Sequence, residues 1–317
     1  MNVQNVNEQH VKKEYWPMVF NSQIELLAWD KCVLSQLGLL SPNLMGNARV
    51  RLDKKNGRLF ILNTQSGSDG EEEYYNVTLG HAPGCPFYEL EKSQSPIHKD
   101  LLYNSTKSPN TKPVIKVGVS VVIQDRNDRI LITRRSNQLR IFPGIWVNAG
   151  GHMEKGESFI DTGIREVLEE TGIELDLSRD QLKVIGAFES GFPHHLDSNK
   201  LPTDHHMVVY LQIKLSKSSH EFHLKMDPKE VDFSTWIPLS FLYKVLHVVL
   251  PNYYNISYNY TNYIQTSQEE NEELHIIYPP LYQGTKLDSN QLKNLFLMQK
   301  ELISTGTIYI FKQLVIK

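Results

Sequence analysis

Short apolar runs separated by turn signals dominate the chain and predict a protein that mixes strands with helices. β-branched and apolar residues at strand spacing predict strands over 48–52, 58–62, 117–123, 129–135, 145–147, 182–189, 206–215, 233–239 and 307–316. The polar stretches 53–57, which ends in Asn-Gly, and 125–128 each predict the turn of a hairpin.

Apolar residues at helical spacing predict helices over 24–40, 158–171, 241–250 and 288–302. The segment 158–171 has the clearest signals, because Ser158 is a good N-cap, Asp161 completes a capping box and Gly172 favours a left-handed stop. Gly163 inside this helix predicts close packing against a neighbour. We expect the core-facing residues to be Ile160, Ile164, Val167 and Leu168.

Composition shifts divide the chain into three parts. Residues 1–92 predict a small N-terminal α+β module, and 93–113, rich in Ser, Asn, Lys and Pro, predict a linker. Residues 114–317 predict a larger α/β domain, with its core at about 115–245 and a C-terminal extension. Within this plan, 66–73 predict an exposed loop, and 252–273 carry little pattern.

Composition and charge exclude several classes of protein. The 317 residues are 40% hydrophobic, and the net charge is −3, so we expect no DNA binding and only local contact with RNA. Two cysteines, Cys32 and Cys85, cannot form a disulfide framework or a four-thiolate zinc site, and are expected to be ordinary buried thiols. Without a signal peptide or a long apolar run, we expect an intracellular, cytoplasmic protein with no membrane partner. The sequence predicts no oligomeric state.

Three glutamates of the helix predicted over 158–171 are the first sign of chemistry. At 100° per residue, Glu166, Glu169 and Glu170 lie at about 0°, 300° and 40°, on one face of the helix. Like charges at this spacing repel each other, so the pattern favours a divalent cation, and oxygen ligands suit Mg²⁺ or Mn²⁺ rather than zinc. Three carboxylates alone are more often a solvated face. Here Glu157 and Arg165, together with two adjacent glycines, favour the metal site.

The segment 151–173 resembles the Nudix box, Gly-x5-Glu-x7-Arg-Glu-U-x-Glu-Glu-x-Gly-U with U apolar, at every constrained position. Chance occurrence in a chain of this length is on the order of 10⁻⁷. The resemblance to the Nudix hydrolase family implies an α/β/α sandwich around a mixed sheet. It also implies hydrolysis of a nucleoside diphosphate linked to another moiety, X.

The resemblance implies a role for each residue of the box. It implies a metal shell for Mg²⁺ or Mn²⁺ built from Glu166, Glu169, Glu170 and a backbone carbonyl of Gly150 or Gly151. Arg165 is implied to orient a glutamate, with Glu157 nearby in a partly structural role and Gly172 ending the helix. The general base is implied to be Glu166 or a residue outside the box, for which Glu230 is our candidate. A surface role for Glu230 is equally compatible with its position.

Softer similarities extend the resemblance to a branch of the family that cleaves mRNA caps and releases N7-methyl-GDP. They comprise Trp146, Glu189-Ser190, Phe192-Pro193, His205-His206, Glu230-Val231, Trp236 and Ser304–Thr307. A cap pocket needs aromatic planes and an acid, which Phe188, Glu189 and Phe192 could supply, although a core position is favoured for Phe188. Of Arg134 and Arg135, strand alternation allows one at most to approach the substrate phosphates.

Two alternatives remain open at this stage. The first is a small-nucleotide pyrophosphatase that acts on NADH, ADP-ribose or CoA derivatives, since the box does not fix X. The second is a catalytically silent module that binds diphosphates. The presence of all four box glutamates and Arg165 disfavours the silent module.

Overall fold

A continuous mixed sheet forms the centre of the computed structural model, which describes residues 17–21, 25–41, 44–64, 74–106, 113–244, 246, 276–277 and 303–315. The strands of these described residues are β1 (Met18–Phe20), β2 (Met45–Asp53), β3 (Arg58–Asn63), β4 (Tyr75–His81), β5 (Ile115–Gln124), β6 (Arg129–Arg135), β7 (Trp146–Val147), β8 (Ala149–His152), β9 (Gln181–Phe192), β10 (Asp204–Lys214), β11 (Val231–Pro238) and β12 (Ile276–Ile277). The helices are α1 (Val33–Gln36), α2 (Pro86–Lys92), α3 (Pro96–Thr106), α4 (Phe159–Thr171), α5 (Leu239–Lys244) and α6 (Thr305–Val315), with a short 3₁₀ turn at Ser219–Glu221.

The sheet combines parallel and antiparallel pairs. Its order is β1-β3-β2-β4-β9-β10-β5-β6-β11-β12, with β7 paired to β6 and β8 paired to β5. Strands β5 and β10 run parallel, whereas β5–β6, β5–β8 and β9–β10 are antiparallel. Both predicted hairpins, β2–β3 and β5–β6, are confirmed. The mixed sheet of the predicted fold class is therefore confirmed.

Helices cover both faces of this sheet. On one face, Gly163 of α4 lies so close to β5 and β10 that an added Cβ would come 2.5 Å from Leu211 Cδ1 and 3.3 Å from Val121 Cγ2. This confirms the close packing predicted for Gly163. On the other face, Tyr309 of α6 packs its ring 5.1 Å from that of Phe188 on β9. The predicted α/β/α sandwich is thus confirmed.

Helix α4 begins and ends where its sequence predicts. The Asp161 N–H donates to Ser158 Oγ at 3.1 Å, the Ser158 N–H donates to Asp161 Oδ2 at 2.8 Å, and Gly172 ends the helix with φ of +72°. The prediction that Leu168 faces the core is wrong, since it is 46% exposed. The buried face is centred on Gly163 and Val167, and Leu168 lies a further 100° around the helix.

The N-terminal module extends the sheet of the larger domain. Its strand β4 pairs in parallel with β9, where Leu79 lies opposite Ala187 and His81 opposite Glu189. One buried apolar cluster continues across this junction. The division at residues 92 and 113 stays a prediction. The expected linker 93–113 contains α3, so its described part is largely helical.

Two other predictions of local structure are wrong. Within the described residues of 24–40, only Val33–Gln36 form a helix. The segment 307–316 was predicted as a strand because it is rich in β-branched and aromatic residues, but its described part belongs to α6. Of the predicted helix 241–250, α5 covers the start. The segments 66–73, 252–273 and 288–302 lie outside the described residues. Among the helices that the structure describes, none is long and apolar enough to cross a membrane.

Candidate active site

Arg165 connects the carboxylates of the predicted site. Its Nε and Nη2 donate to the two oxygens of Glu157 at 2.7 and 3.0 Å, and its Nη1 donates to Glu166 at 2.7 Å and to Glu169 at 3.1 Å. Nη2 also donates to the carbonyl oxygen of His152 at 3.0 Å. One guanidinium therefore fixes the entry to α4, two of its glutamates and the strand that precedes it. These charge-assisted bonds belong to the strong class.

Glu157 is held at the loop before α4 by more than Arg165. Its Oε2 accepts from the Glu154 N–H at 2.8 Å and from the Thr162 hydroxyl at 2.7 Å. Burial raises the pKa of Glu157, but hydrogen bonds from Arg165, Glu154 and Thr162 outweigh burial and leave that pKa below its usual value. Glu157 is thus a stable anion that anchors Arg165.

Glu166 and Glu170 are turned inward and are only 8% and 7% exposed. Burial raises the pKa of Glu166, although Arg165 opposes the shift. Burial raises the pKa of Glu170 well above its ordinary value, and the neighbouring Glu166 adds to the rise. A backbone hydrogen bond from Gly150 opposes the rise in the pKa of Glu170, and Glu170 Oε2 is buried without a hydrogen-bond partner among the described residues. An orphaned buried carboxylate oxygen is costly unless a cation meets it.

The two glycines of β8 let the backbone approach these carboxylates. A Cβ at Gly151 would overlap the Glu166 carboxylate, with Glu166 Cδ only 2.7 Å away. A Cβ at Gly150 would come 2.7 Å from Ser120 Cα on β5. Backbone atoms and a φ of +156° require glycine at position 150, whereas a side chain at position 151 would displace the Glu166 carboxylate.

The donor set fits a hard divalent cation. The available groups are carboxylate and backbone oxygens, which are the ligands that Mg²⁺ and Mn²⁺ prefer. Glu169 differs from its two neighbours because its side chain is 55% exposed and is joined only to Arg165 among the described contacts. Glu166, Glu169 and the buried oxygen of Glu170 are therefore the candidate ligands.

The two consecutive arginines at the end of β6 point in different directions. Arg134 places its guanidinium 3.8 Å from the centre of the Phe233 ring and 3.6 Å from Asp232. Burial lowers the pKa of Arg135, while Glu170 and Glu230 act to raise it. Arg135 is therefore the arginine whose charge lies nearer the carboxylates, although its Nε donates to the Ile141 carbonyl at 3.2 Å, and Arg134 is directed towards β11.

Glu230 lies at the edge of the same group of charges. Its side chain is exposed, and its backbone oxygen accepts from the Ser136 N–H at 2.8 Å, next to the end of β6. Its charge contributes to the raised pKa values of both Glu166 and Glu170. Glu230 is thus near the buried glutamates and also open to solvent, so its role as a base stays a prediction.

The assignment of Phe188 and Glu189 to substrate binding is wrong, since each is only 1% exposed. Phe188 packs against Tyr309 of α6 in the core. Glu189 points to the opposite face of β9, where it bonds to His205 at 3.0 Å and to the Val33 N–H at 2.8 Å. Both side chains are covered by helices, so neither can contact a substrate that binds from solvent.

Phe192, the third predicted aromatic contact, is only partly buried. Its ring meets that of Phe142 edge-to-face, with centroids 5.2 Å apart and an interplanar angle of 86°. The His194 ring lies 6.5 Å from Phe142. Sequence reasoning missed Phe142, because it lies in a loop without strand or helix periodicity. Its flanking glycine and proline marked a turn but not an aromatic contact.

A basic group beside Phe192 was also missed as a site. Lys116 donates to Asp204, which lies opposite Phe192 in the β9–β10 ladder, at 2.5 Å. His206 lies opposite Lys116 across the β5–β10 pair, and its ring is 5.3 Å from that of His152. Burial, His152 and Lys116 lower the pKa of His206 to about 3. The alternation of β10 and the place of His152 inside the box were the signals that could have located this group.

Comparisons with known proteins agree with this geometry. Residues 114–256 match the family model described as NUDIX domain. The chain is 36% identical to m7GpppN-mRNA hydrolase NUDT17 of Danio rerio over 177 residues, which is 55% of each protein. It is 29% identical to the protein of the same name from Homo sapiens over 222 residues, or 69% of this chain and 63% of that one. The similarity to the decapping branch is thereby confirmed.

These matches are partial. The chain spans about half the length of the curated relatives, with coverage of 41 to 63% for the four proteins of that name. Among solved structures, a MutT/nudix family protein from Enterococcus faecalis is 12% identical, with a TM-score of 0.33 over 70% of this chain and 69% of that one.

Proposed function

We propose that this chain, whose residues 114–256 form a NUDIX domain, is a metal-dependent hydrolase that cleaves the diphosphate linkage of an RNA cap. The observation that carries the proposal is the arrangement around Arg165. One guanidinium binds Glu157, Glu166 and Glu169, and the adjacent Glu170 has a buried oxygen that forms no hydrogen bond to the residues that the structure describes. All four glutamates of the box are therefore positioned, which argues against a silent binding module.

Nudix hydrolases generally need divalent metal ions, and we propose Mg²⁺ or Mn²⁺ for this chain. Glu166, Glu169 and Glu170 would hold the cation, together with a backbone carbonyl of Gly150 or Gly151. When bound, the cation neutralises phosphate charge and makes a bound water more acidic. Its oxygen-rich donor set disfavours zinc at this place.

The chain's own residues then orient the reacting groups. Arg165 fixes Glu166 and Glu169 through the anchor of Glu157, so these carboxylates need little reorganisation when substrate binds. Arg135, which already interacts with Glu170 and Glu230, is placed to meet an anionic phosphate. A carboxylate must also accept the proton of the attacking water. Glu166, buried beside the orphaned oxygen, and the exposed Glu230 are the two candidates.

The capped 5′ end is the substrate class that the surroundings favour. The edge-to-face pair of Phe142 and Phe192 offers an aromatic surface for a cationic methylated base. Beside it lie Lys116, which is paired with Asp204, and the imidazoles of His152 and His206. The names of the curated relatives support the same substrate.

The test is product analysis with Mg²⁺ or Mn²⁺. One panel holds short RNA with methylated and unmethylated caps, together with NADH, ADP-ribose, CoA and nucleoside triphosphates. We expect N7-methyl-GDP to be released faster than any small nucleotide is cleaved, and Glu170→Gln to abolish the release. Faster cleavage of a dinucleotide would instead make the chain a small-nucleotide pyrophosphatase. Equal activity of the Glu170→Gln variant would refute the metal assignment.

A further inference from the structure

Five polar side chains lie completely buried between the N-terminal module and the main sheet. They are Cys32, His81, Cys85, Glu189 and His205, and each is at most 1% exposed. None of them belongs to the Nudix box. A thiol pair, two imidazoles and a carboxylate withdrawn from water are an expensive combination unless they bond to one another or to a cation.

The atoms of this cluster are close enough to coordinate one ion. Cys32 Sγ lies 3.1 Å from Glu189 Oε2 and 3.7 Å from His81 Nδ1, and one ligand atom each of Cys32, His81 and Glu189 lies within 4.8 Å of the other two. Cys85 lies next to these three residues, and its side chain interacts with those of Cys32 and His81. A tetrahedral zinc site with bonds of about 2.0–2.3 Å places its ligand atoms about 3.3–3.8 Å apart. The separation of Cys32 from His81 falls in this range, and that of Cys32 from Glu189 is slightly shorter.

Four separate elements bring these ligands together. Cys32 is the N-cap of α1, and Cys85 is the N-cap of α2. The parallel pairing of β4 with β9 places His81 directly beside Glu189. A tight turn through Gly84, whose φ is +71°, then returns the chain so that Cys85 faces the end of β4. His81 and Cys85, with three residues between them, thus come from one short segment. Cys32 and Glu189 complete the cluster from two other parts of the chain.

One nitrogen of the cluster lacks a partner. His81 Nε2 is buried and forms no hydrogen bond among the described residues, although buried imidazole nitrogens are normally bonded. Its other nitrogen faces the Cys32 sulfur at 3.7 Å, which is too long for a strong bond. Nδ1 is therefore the nitrogen that faces the other ligands of the cluster.

Glu189 is oriented like the carboxylate of a metal site. Its Oε1 is bound by His205 Nε2 at 3.0 Å and by the Val33 N–H at 2.8 Å, while its Oε2 is directed at Cys32. The other nitrogen of His205 bonds to the Trp29 carbonyl at 2.7 Å. Partners of this kind fix the direction of a ligating carboxylate.

We propose that Cys32, His81, Cys85 and Glu189 bind one zinc ion, which joins the N-terminal module to the NUDIX domain. Two thiolates and an imidazole favour zinc over the hard cations that suit the box. The cluster is closed to solvent and uses four protein ligands, so the ion is structural. Both cysteines are buried, as expected, and the proposal adds His81 and Glu189 as metal partners that are distant from Cys32 in sequence.

The test begins with the full-length chain, without any substitution. Purified protein is dialysed against a chelator that strips weakly held ions, and its metal content is measured by mass spectrometry. We expect about one zinc per chain. Replacement of zinc by Co²⁺ should give a thiolate-to-cobalt charge-transfer band in the near ultraviolet. The carboxylates of the Nudix box contain no sulfur and cannot give this band.

Variants then assign the ligands. Cys85→Ser and His81→Asn should each lower zinc affinity by at least about tenfold. His98→Asn is the matched control, since His98 is also buried but bonds to Ser93 and to the Asp197 carbonyl. Glu170→Gln should keep its zinc and its cobalt band, although the proposed hydrolysis is lost. The two metal assignments can therefore fail separately.

Three results would overturn the proposal. The first is a full-length chain that folds without zinc and gives no sulfur-to-cobalt band. The second is a Cys32–Cys85 disulfide in protein purified without reductant, seen as a mass lower by two hydrogens. The third is a zinc content unchanged in folded Cys85→Ser protein, with folding checked by circular dichroism.

Discussion

Arg165 binds Glu157 through two parallel hydrogen bonds, from Nε to Oε1 at 2.7 Å and from Nη2 to Oε2 at 3.0 Å. The third nitrogen, Nη1, remains directed at the glutamates of α4. The planar fork of arginine can serve both partners at once, whereas the single ammonium of lysine cannot. The position of the glutamates therefore depends on the shape of this side chain as well as on its charge.

Arg165→Lys should lower kcat/KM for capped RNA by roughly 10–100-fold, because residues that orient metal ligands have effects of this size. Because lysine keeps the positive charge, the loss of kcat/KM measures the contribution of the geometry of the arginine side chain. The rate is measured with saturating Mg²⁺ and compared with that of Arg179→Lys. Arg179 forms an exposed pair with Asp176, and its exchange should leave kcat/KM unchanged. Equal rates for both variants would contradict the role of Arg165.

Glu170→Gln should reduce cation affinity and activity by at least about 100-fold while making the metal-free protein more stable. Burial raises the pKa of Glu170, so its charge opposes folding at neutral pH. Removing that charge should increase the free energy of unfolding by about 1 kcal/mol. Urea unfolding in a chelator measures the stability, and the Glu174→Gln variant, at an exposed position, is the control. A loss of stability would show that the carboxylate is satisfied inside the fold.

Phe192→Ala should raise KM for methylated capped RNA by about tenfold, since stacking on an aromatic ring contributes about 1–3 kcal/mol per base. The Phe192 ring contacts the Phe142 ring edge-to-face and is only partly buried. Phe222→Ala, at a partly buried ring that packs on Trp236, controls for the loss of an aromatic side chain. If KM rises equally in both variants, Phe192 has no specific contact with the base.

His206 should make stability dependent on pH. Burial, His152 and Lys116 lower its pKa to about 3, whereas the unfolded chain has an ordinary histidine pKa near 6.5. Between these values the unfolded state binds the proton and the folded state does not, so stability falls as pH decreases below about 6.5. His206→Gln should reduce the slope of unfolding free energy between about pH 4 and 6 by up to about 1.4 kcal/mol per pH unit. His223→Gln, at an exposed histidine, should leave the slope unchanged.

Gly80→Ala should destabilise the docking of α6. A Cβ at this position would come 2.5 Å from Tyr309 Cε2 and 2.9 Å from Cδ2, and the Tyr309 hydroxyl is already bound to the Thr78 carbonyl at 2.6 Å. Overpacking of this kind costs about 1–3 kcal/mol. Chemical denaturation measures the loss. Gly80→Ala combined with Tyr309→Leu should recover part of it, because the smaller side chain makes room for the methyl group.

The residues of the box determine their own structure locally, and this is why the sequence predicts them well. Ser158, Asp161 and Gly172 cap α4 through contacts within a few residues, and the turn of the helix then aligns the glutamates. Helix α6 lacks such a signal, because Gly306 to Lys312 are buried on all sides and show no amphipathic period. Its β-branched residues favour a strand, and packing against the sheet overrides that preference.

Contacts between distant segments explain the remaining errors. The residue type of Glu189 predicts a contact with the RNA cap. In the structure, a neighbouring strand from the N-terminal module covers Glu189, which is a buried partner of Cys32 and His205. Nothing near residue 189 in the sequence contains this information. The direction of Phe142 likewise follows from its contact with Phe192, about 50 residues further on.

The parallel pairing of β4 with β9 also sets an order of events during translation. Leu79 leaves the ribosome roughly 100 residues before its partner Ala187, which at 5–20 residues per second is a delay of about 5–20 s. Throughout this interval the outer edge of β4 has no strand to bond to, and an open edge is where chains aggregate. The nascent protein therefore passes through a vulnerable stage, and a holdase chaperone that covers β4 would increase its yield.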